Sequence, residues 1–261
     1  MKYIEFVGPS GIGKTTFLRH LISQEDNREW LTREEALQLI QKDSDDNPTI
    51  PERLVLKVSR LLKLSLKYKS APSTFPEVDK LLKEYDSDVK PLYDLFSTYV
   101  SKNRNLQVWQ KNRLYKYYVE SIVYKILIIN QYFRESSVVL DEGIVHNGGF
   151  YKTMHHDLLL RASESDIFPS AVIFFKLSKN EYISRIEARF NENRERKINS
   201  LMIDVSREAL ERYVDRALLR SDEKRDAWLA LDLPFVELEP HLTEDRTNEA
   251  LRFINNVFTQ A

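Results

Sequence analysis

The chain of 261 residues contains no cysteine, which excludes disulfide bonds and cysteine-ligated zinc and suits a reducing compartment. No stretch reaches the roughly 20 apolar residues that a membrane-spanning helix needs. No leader is expected either, because Met1-Lys2 runs straight into Tyr3-Ile4-Glu5-Phe6-Val7, too short an apolar run for a signal peptide. Nor is there an excess of either charge. Lys and Arg number 39 against 40 Asp and Glu, a net charge of -1, so bulk charge neither demands nor forbids a polyanionic partner. Internal repeats and low-complexity tracts are absent. What remains, at 42% hydrophobic and 30% charged residues, is the composition of an ordinary globular protein. The expectation is one cytoplasmic α/β domain over 1–261, with no membrane span and no nucleic-acid partner.

Hydrophobic periodicity divides the chain. Residues 2–7 read as a short buried strand stopped by Gly8-Pro9, and a helix begins near Gly13 with Phe17, Leu18, Leu21 and Ile22 on one face. A short polar strand is expected within 29–33. From about 50 to 135 the pattern is helical. Leu54, Val55, Val58, Leu61, Leu62 and Leu66 keep a helical period, with basic residues from Arg53 to Lys67 opposite them, and 106–135 reads as one long helix. Buried strands follow at 137–140, 171–177 and 235–238, with helices at 150–163, 180–190, 203–230 and 244–258. Short buried strands alternating with helices imply right-handed crossovers and a parallel sheet covered on both faces, a three-layer α/β/α domain. The 50–135 block is then a helical insertion or an enlarged helical layer of that domain.

Gly8-Pro9-Ser10-Gly11-Ile12-Gly13-Lys14-Thr15 fits G-x-x-x-x-G-K-[ST] at every fixed position. The chemistry needs those residue types. Glycines let successive backbone N–H groups curl around phosphate oxygens where a side chain would obstruct them. Lys14 brings a positive charge to the β- and γ-phosphates, Thr15 offers a hydroxyl to Mg²⁺, and the helix that follows turns its partially positive end on the same anion. The motif follows an expected strand and opens an amphipathic helix, the context a chance glycine-rich turn lacks. It points to ATP and Mg²⁺.

Val138-Val139-Leu140-Asp141 has the form of a Walker-B strand ending in a carboxylate that holds the metal shell. Ligands gather at the carboxyl ends of parallel strands, which puts Asp141 beside the glycine loop. Asp141 is the candidate metal ligand with Thr15, and Glu142 the candidate base or substrate contact. The alternative is that both acids cap an exposed loop. His146, a little further on, is a candidate for the lining of the acceptor pocket. His155 and His156 lack the spacing of a zinc site. Arg185, Arg189, Arg194 and Arg196 lie at or just after the helix following strand 171–177. Arginines on a closing segment can neutralise a transferring phosphoryl group, which makes Arg189 and Arg194 catalytic candidates. The alternative is a solvated helix whose arginines pair with Glu187, Glu192 and Glu195.

With the loop, the acidic strand end and the segment Tyr182-Ile183-Ser184-Arg185-Ile186-Glu187-Ala188-Arg189 in place, the chain resembles the P-loop nucleoside and nucleotide kinases, in particular the thymidylate-kinase-like proteins. Thr32-Arg33-Glu34 matches the threonine-arginine-glutamate after their second strand. The resemblance covers the two ends of the chain and leaves about 30–135 largely unmatched. It implies a five-stranded sheet in order 2-3-1-4-5, a donor site extended to Thr16, Arg33 near the phosphoryl acceptor, and a lid over about 189–200. Two departures leave the acceptor open. Asp141 is followed by Glu142-Gly143 where thymidylate kinases usually have an arginine, and no Glu-x-x-Trp surrounds Trp30.

The expected activity is transfer of the γ-phosphoryl group of ATP to a nucleotide, nucleoside or other small acceptor. Lys14, Asp141, Glu142, Arg189 and Arg194 are the catalytic candidates, and Arg33, Glu142 and His146 the acceptor contacts. A homodimer is compatible with all of this. The alternative is a regulatory NTPase whose nucleotide state controls partner binding. Ser178-Lys179-Asn180-Glu181 is not the Asn-Lys-x-Asp guanine signature, and the transporter-type Leu-Ser-Gly-Gly is missing, which speaks against those two NTPase classes.

Overall fold

The computed structural model describes residues 1–25, 28–46, 82–195 and 206–259, excluding the side chains of 41–46 and 193–195. The basic helix expected from Arg53 to Lys67, Arg196, and the later part of the expected lid lie outside the described residues. In chain order the elements are β1 (Lys2–Val7), α1 (Lys14–Gln24), β2 (Trp30–Thr32), α2 (Arg33–Asp46), α3 (Asp86–Lys102) and α4 (Val108–Tyr117). A π-helical turn (Tyr118–Val123), α5 (Tyr124–Tyr132), β3 (Ser137–Leu140), α6 (Ile144–Asn147) and α7 (His156–Ser163) follow. The chain then continues through β4 (Ala171–Phe175), α8 (Lys179–Glu195), α9 (Arg207–Leu229), β5 (Phe235–Leu238) and α10 (Glu244–Thr259).

The five strands form one all-parallel sheet in the order β2-β3-β1-β4-β5. Parallel strands need crossovers, and every crossover here carries helix, so both faces of the sheet are buried and the central strands read as continuous apolar runs. Alternation along each strand divides the core in two. Tyr3, Val7, Val138, Leu140, Val172 and Phe174 face one cluster, with α3, the π turn and α5 packed on it. Ile4, Phe6, Val139, Ile173 and Phe175 face the other, with Phe17, Leu18 and Leu21 of α1 and Ile254 of α10. No helix among the described residues is long and apolar enough to cross a membrane.

Three expectations need correction. The helix expected over 106–135 is interrupted by the π turn, which shifts the buried face so that Tyr118, Ile122 and Val123 all turn inward. The helix expected over 150–163 begins only at His156, and a separate four-residue helix, Ile144–Asn147, precedes it. β5 is an edge strand, not a buried one: Phe235 and Glu237 are exposed and only Leu238 is fully buried. The part of 50–135 that is described is no independent unit, because Leu92, Leu95, Phe96, Tyr124 and Leu127 share one core with the sheet.

Candidate functional site

The Gly8–Thr15 loop leaves the end of β1 at the carboxyl edge of the sheet and turns directly into α1. Gly13 is the residue just before the helix, at φ 112°, a left-handed conformation that L side chains avoid. A Cβ there would also meet Arg185 Nη1 at 2.6 Å. Gly13→Ala is therefore expected to cost about 1–3 kcal/mol of stability and to distort the loop. Urea unfolding measures the cost, and a variant as stable as the parent would show that the loop tolerates the strain.

Lys14 is buried although charged, and its Nζ donates to the carbonyl oxygens of Gly8 (2.9 Å) and Pro9 (3.3 Å). Burial holds its pKa below the ordinary lysine value, while Glu142, Asp141 and Glu5 pull the other way. The hydroxyl of Thr15 donates to Asp141 Oδ2 at 2.9 Å, linking the loop to the end of β3. Arg33, the first residue of α2, reaches the same carboxylate. Its Nη2 lies 3.0 Å from Asp141 Oδ1, an ion pair without a well-aligned hydrogen bond, and its Nη1 donates to the Glu142 carbonyl at 3.2 Å. Burial lowers the Arg33 pKa, but Asp141 and Glu34 outweigh it and raise the pKa overall.

His146 sits in the short helix after β3. Its Nε2 lies 3.7 Å from Glu142 Oε1, its Nδ1 is buried without a hydrogen-bond partner, and burial, aided by Lys14 and Lys224, holds its pKa well below the usual value. The ring is therefore neutral at physiological pH. Lys14, Thr15, Asp141, Glu142, Arg33 and His146 thus stand at one edge of the sheet. α8 packs against the outside of the loop: Tyr182 Oη donates to the Ser10 carbonyl (2.8 Å) and Arg185 Nη1 to the Ile12 carbonyl (2.6 Å). A Cβ on Gly11 would meet Arg189 Nη1 at 3.2 Å, so the exposed Arg189 flanks the loop. Arg194 belongs to α8, with its side chain outside the described residues. Thr16 lies exposed in the first turn of α1.

Two charged residues beneath this edge escaped the sequence reading. Glu5, in the middle of β1, is fully buried and accepts hydrogen bonds from the backbone N–H groups of Val145 (2.9 Å) and His146 (2.5 Å). Gly143 allows the chain to close over it, since a Cβ there would stand 2.7 Å from Glu5 Oε2. Burial raises the Glu5 pKa to about 7, against those backbone bonds and the field of Lys224. Lys224, from α9, is also buried, donates to the His146 carbonyl, and lies 5.4 Å from the Tyr151 ring centre. A charge inside an otherwise apolar strand run was the available signal for Glu5. Lys224 carried none, since α9 is charged along its whole length.

A cavity of about 370 Å³ opens beside the loop, lined in part by Gly8, Pro9, Ser10, His146, Tyr151 and Lys224. Among the described residues no group of three or more His, Cys, Asp or Glu side chains is arranged to hold a metal unaided. The Thr15 hydroxyl and the Asp141 carboxylate are hard oxygen donors 2.9 Å apart, the donor type that suits Mg²⁺, an ion usually held by one or two protein ligands together with substrate phosphates. No protein-family model matches the chain, and no curated protein matches it.

Proposed function

We propose that the protein is a P-loop phosphotransferase that binds ATP with Mg²⁺ and moves the γ-phosphoryl group to a small acceptor. One observation carries this reading: the glycine loop brings Lys14 and Thr15 to the end of β3, where Thr15 bonds Asp141. A left-handed glycine, a buried ammonium and a helix N-terminus around one loop are what a triphosphate tail requires. Thr15 and Asp141 would hold Mg²⁺, which when bound neutralises phosphate charge and orients the donor. In the reaction an acceptor oxygen bonds to the γ-phosphorus, the bond from that phosphorus to the β–γ bridging oxygen breaks, and ADP leaves with the electron pair. Lys14 offsets charge on the β- and γ-oxygens by exchanging its carbonyl partners for phosphate. Glu142 stands next to Asp141 to take a proton where the acceptor is a hydroxyl, and Arg33 and neutral His146 orient that acceptor. Arg189 flanks the loop from α8 as the cation for the transferring group.

ATP labelled at the γ-position and incubated with Mg²⁺ and a panel of nucleotides, nucleosides and phosphorylated sugars tests the reading. Label is expected to move to at least one acceptor class and to stay on ATP when Mg²⁺ is chelated. Well-folded protein that takes up no ATP in calorimetry overturns the proposal.

A further inference from the structure

The helical wall of the cavity beside the loop has no part in the chemistry above. α9 presents Arg216, Arg220 and Lys224 to it, spaced by four residues and therefore aligned along one helix face. Two other arginines of α9 find acids: Arg207 pairs with Glu187 and Glu211, and Arg225 with Asp222, Asp226 and Glu237. Arg216 and Arg220 form no ion pair among the described residues. Lys224 feels Lys14 and Arg220 as repelling neighbours, offset by Glu5 and Glu142. Two guanidinium groups beside a third cation at one concave surface, neither held in an ion pair, are costly until an anion enters.

The rest of the lining agrees. The buried and unpartnered Nδ1 of His146 adds a polar group without adding charge. Gly8, Pro9 and Ser10 form the side toward the loop, whereas Thr15 and Asp141 are not part of the wall, so the cavity adjoins the expected metal position without coinciding with it. A second cavity of about 230 Å³ shares Tyr151 and Arg220 with the first and continues to Tyr99 and Met154. Paired guanidinium forks and an ammonium suit the several oxygens and double charge of a phosphate better than a single carboxylate.

We infer that this cavity is an anion subsite for a phosphorylated small-molecule acceptor, whose phosphate lies against Arg216, Arg220 and Lys224. The rest of the molecule passes Tyr151 toward Tyr99, Lys102, Asn103 and Met154. Calling the ligand an acceptor rests on the phosphotransferase reading, while the anion site itself rests on the cation stripe.

Inorganic phosphate, titrated at constant ionic strength into the full chain with and without a saturating non-hydrolysable ATP analogue and Mg²⁺, tests it. Phosphate is expected to bind the nucleotide-loaded protein. The double variant R216Q/R220Q, which alters only exposed side chains, is expected to lose phosphate affinity about tenfold or more and to hold the analogue within about twofold. If the analogue displaces phosphate, or the double variant loses the analogue instead, the cations serve the donor and the inference falls. Unchanged phosphate affinity in the double variant also overturns it. If no analogue binds but phosphate still depends on Arg216 and Arg220, the donor reading fails and the anion site stands.

Discussion

Lys14→Ala is expected to yield a folded protein whose phosphoryl transfer has fallen by about a hundred- to a thousandfold, the usual loss when one preorganised donor to a developing charge is removed. The two parts of that result have separate causes. Stability should change little, because the Lys14 ammonium bonds only two loop carbonyls and its burial already works against its charge. Activity should fall because the neighbouring cations are already engaged: Arg33 is held by Asp141, Arg185 is tied to the Ile12 and Pro240 carbonyls, and Arg189 has its own part at the transferring group. Single-turnover transfer measured beside thermal unfolding separates the two. A variant that still transfers within about threefold of the parent would remove Lys14 from the chemistry. A variant that does not fold would mean that the ammonium is a structural staple of the loop.

The elements that sequence made legible are those with strong local chemistry. The glycine loop could be read because only glycine serves a left-handed residue such as Gly13, and lysine and threonine must follow at fixed spacing. The ends of β1 and β3 were legible because parallel strands buried on both faces are short apolar runs, and Asp141 marks where the second run stops. From these the sheet order followed by resemblance, and the strand pairings agree with it. The π turn was not legible, since Tyr118–Val123 keeps the composition of an ordinary helix and differs only in which side chains reach the core. β5 misled because Phe235, Val236 and Leu238 give it the apolar composition of a buried run, whereas among the described residues it pairs with β4 alone and so forms the sheet edge. The cation stripe of α9 was hidden for another reason. Charges at four-residue spacing are the common surface pattern of a solvated helix, and only the fold sets Arg216 and Arg220 beside the loop.

Glu5→Gln is expected to flatten the dependence of stability on pH between about 5 and 8. In the folded chain burial raises the Glu5 pKa to about 7 from an ordinary value of 4.5, so the folded state keeps a proton that the unfolded state has lost. The stability that Glu5 contributes is therefore fully present below the unfolded value and is lost as pH rises through the folded one. Over that window the loss is about 2–3 kcal/mol. Glutamine fills the same space and cannot titrate, so the difference in unfolding free energy between parent and variant should shrink by that amount from pH 5 to pH 8. Loss of the carboxylate also removes the field that raises the Lys224 pKa, which favours neutral Lys224 and moves the difference in the same direction. At each pH the variant should also be the weaker protein, because an amide has only one acceptor oxygen for the N–H groups of Val145 and His146 and turns donors toward the other. Urea unfolding of both proteins across this range reads slope and offset together. Parallel curves would mean that Glu5 is already ionised in the folded state, and the turn that carries Asp141 and His146 would then be held by a carboxylate whose charge costs the fold little.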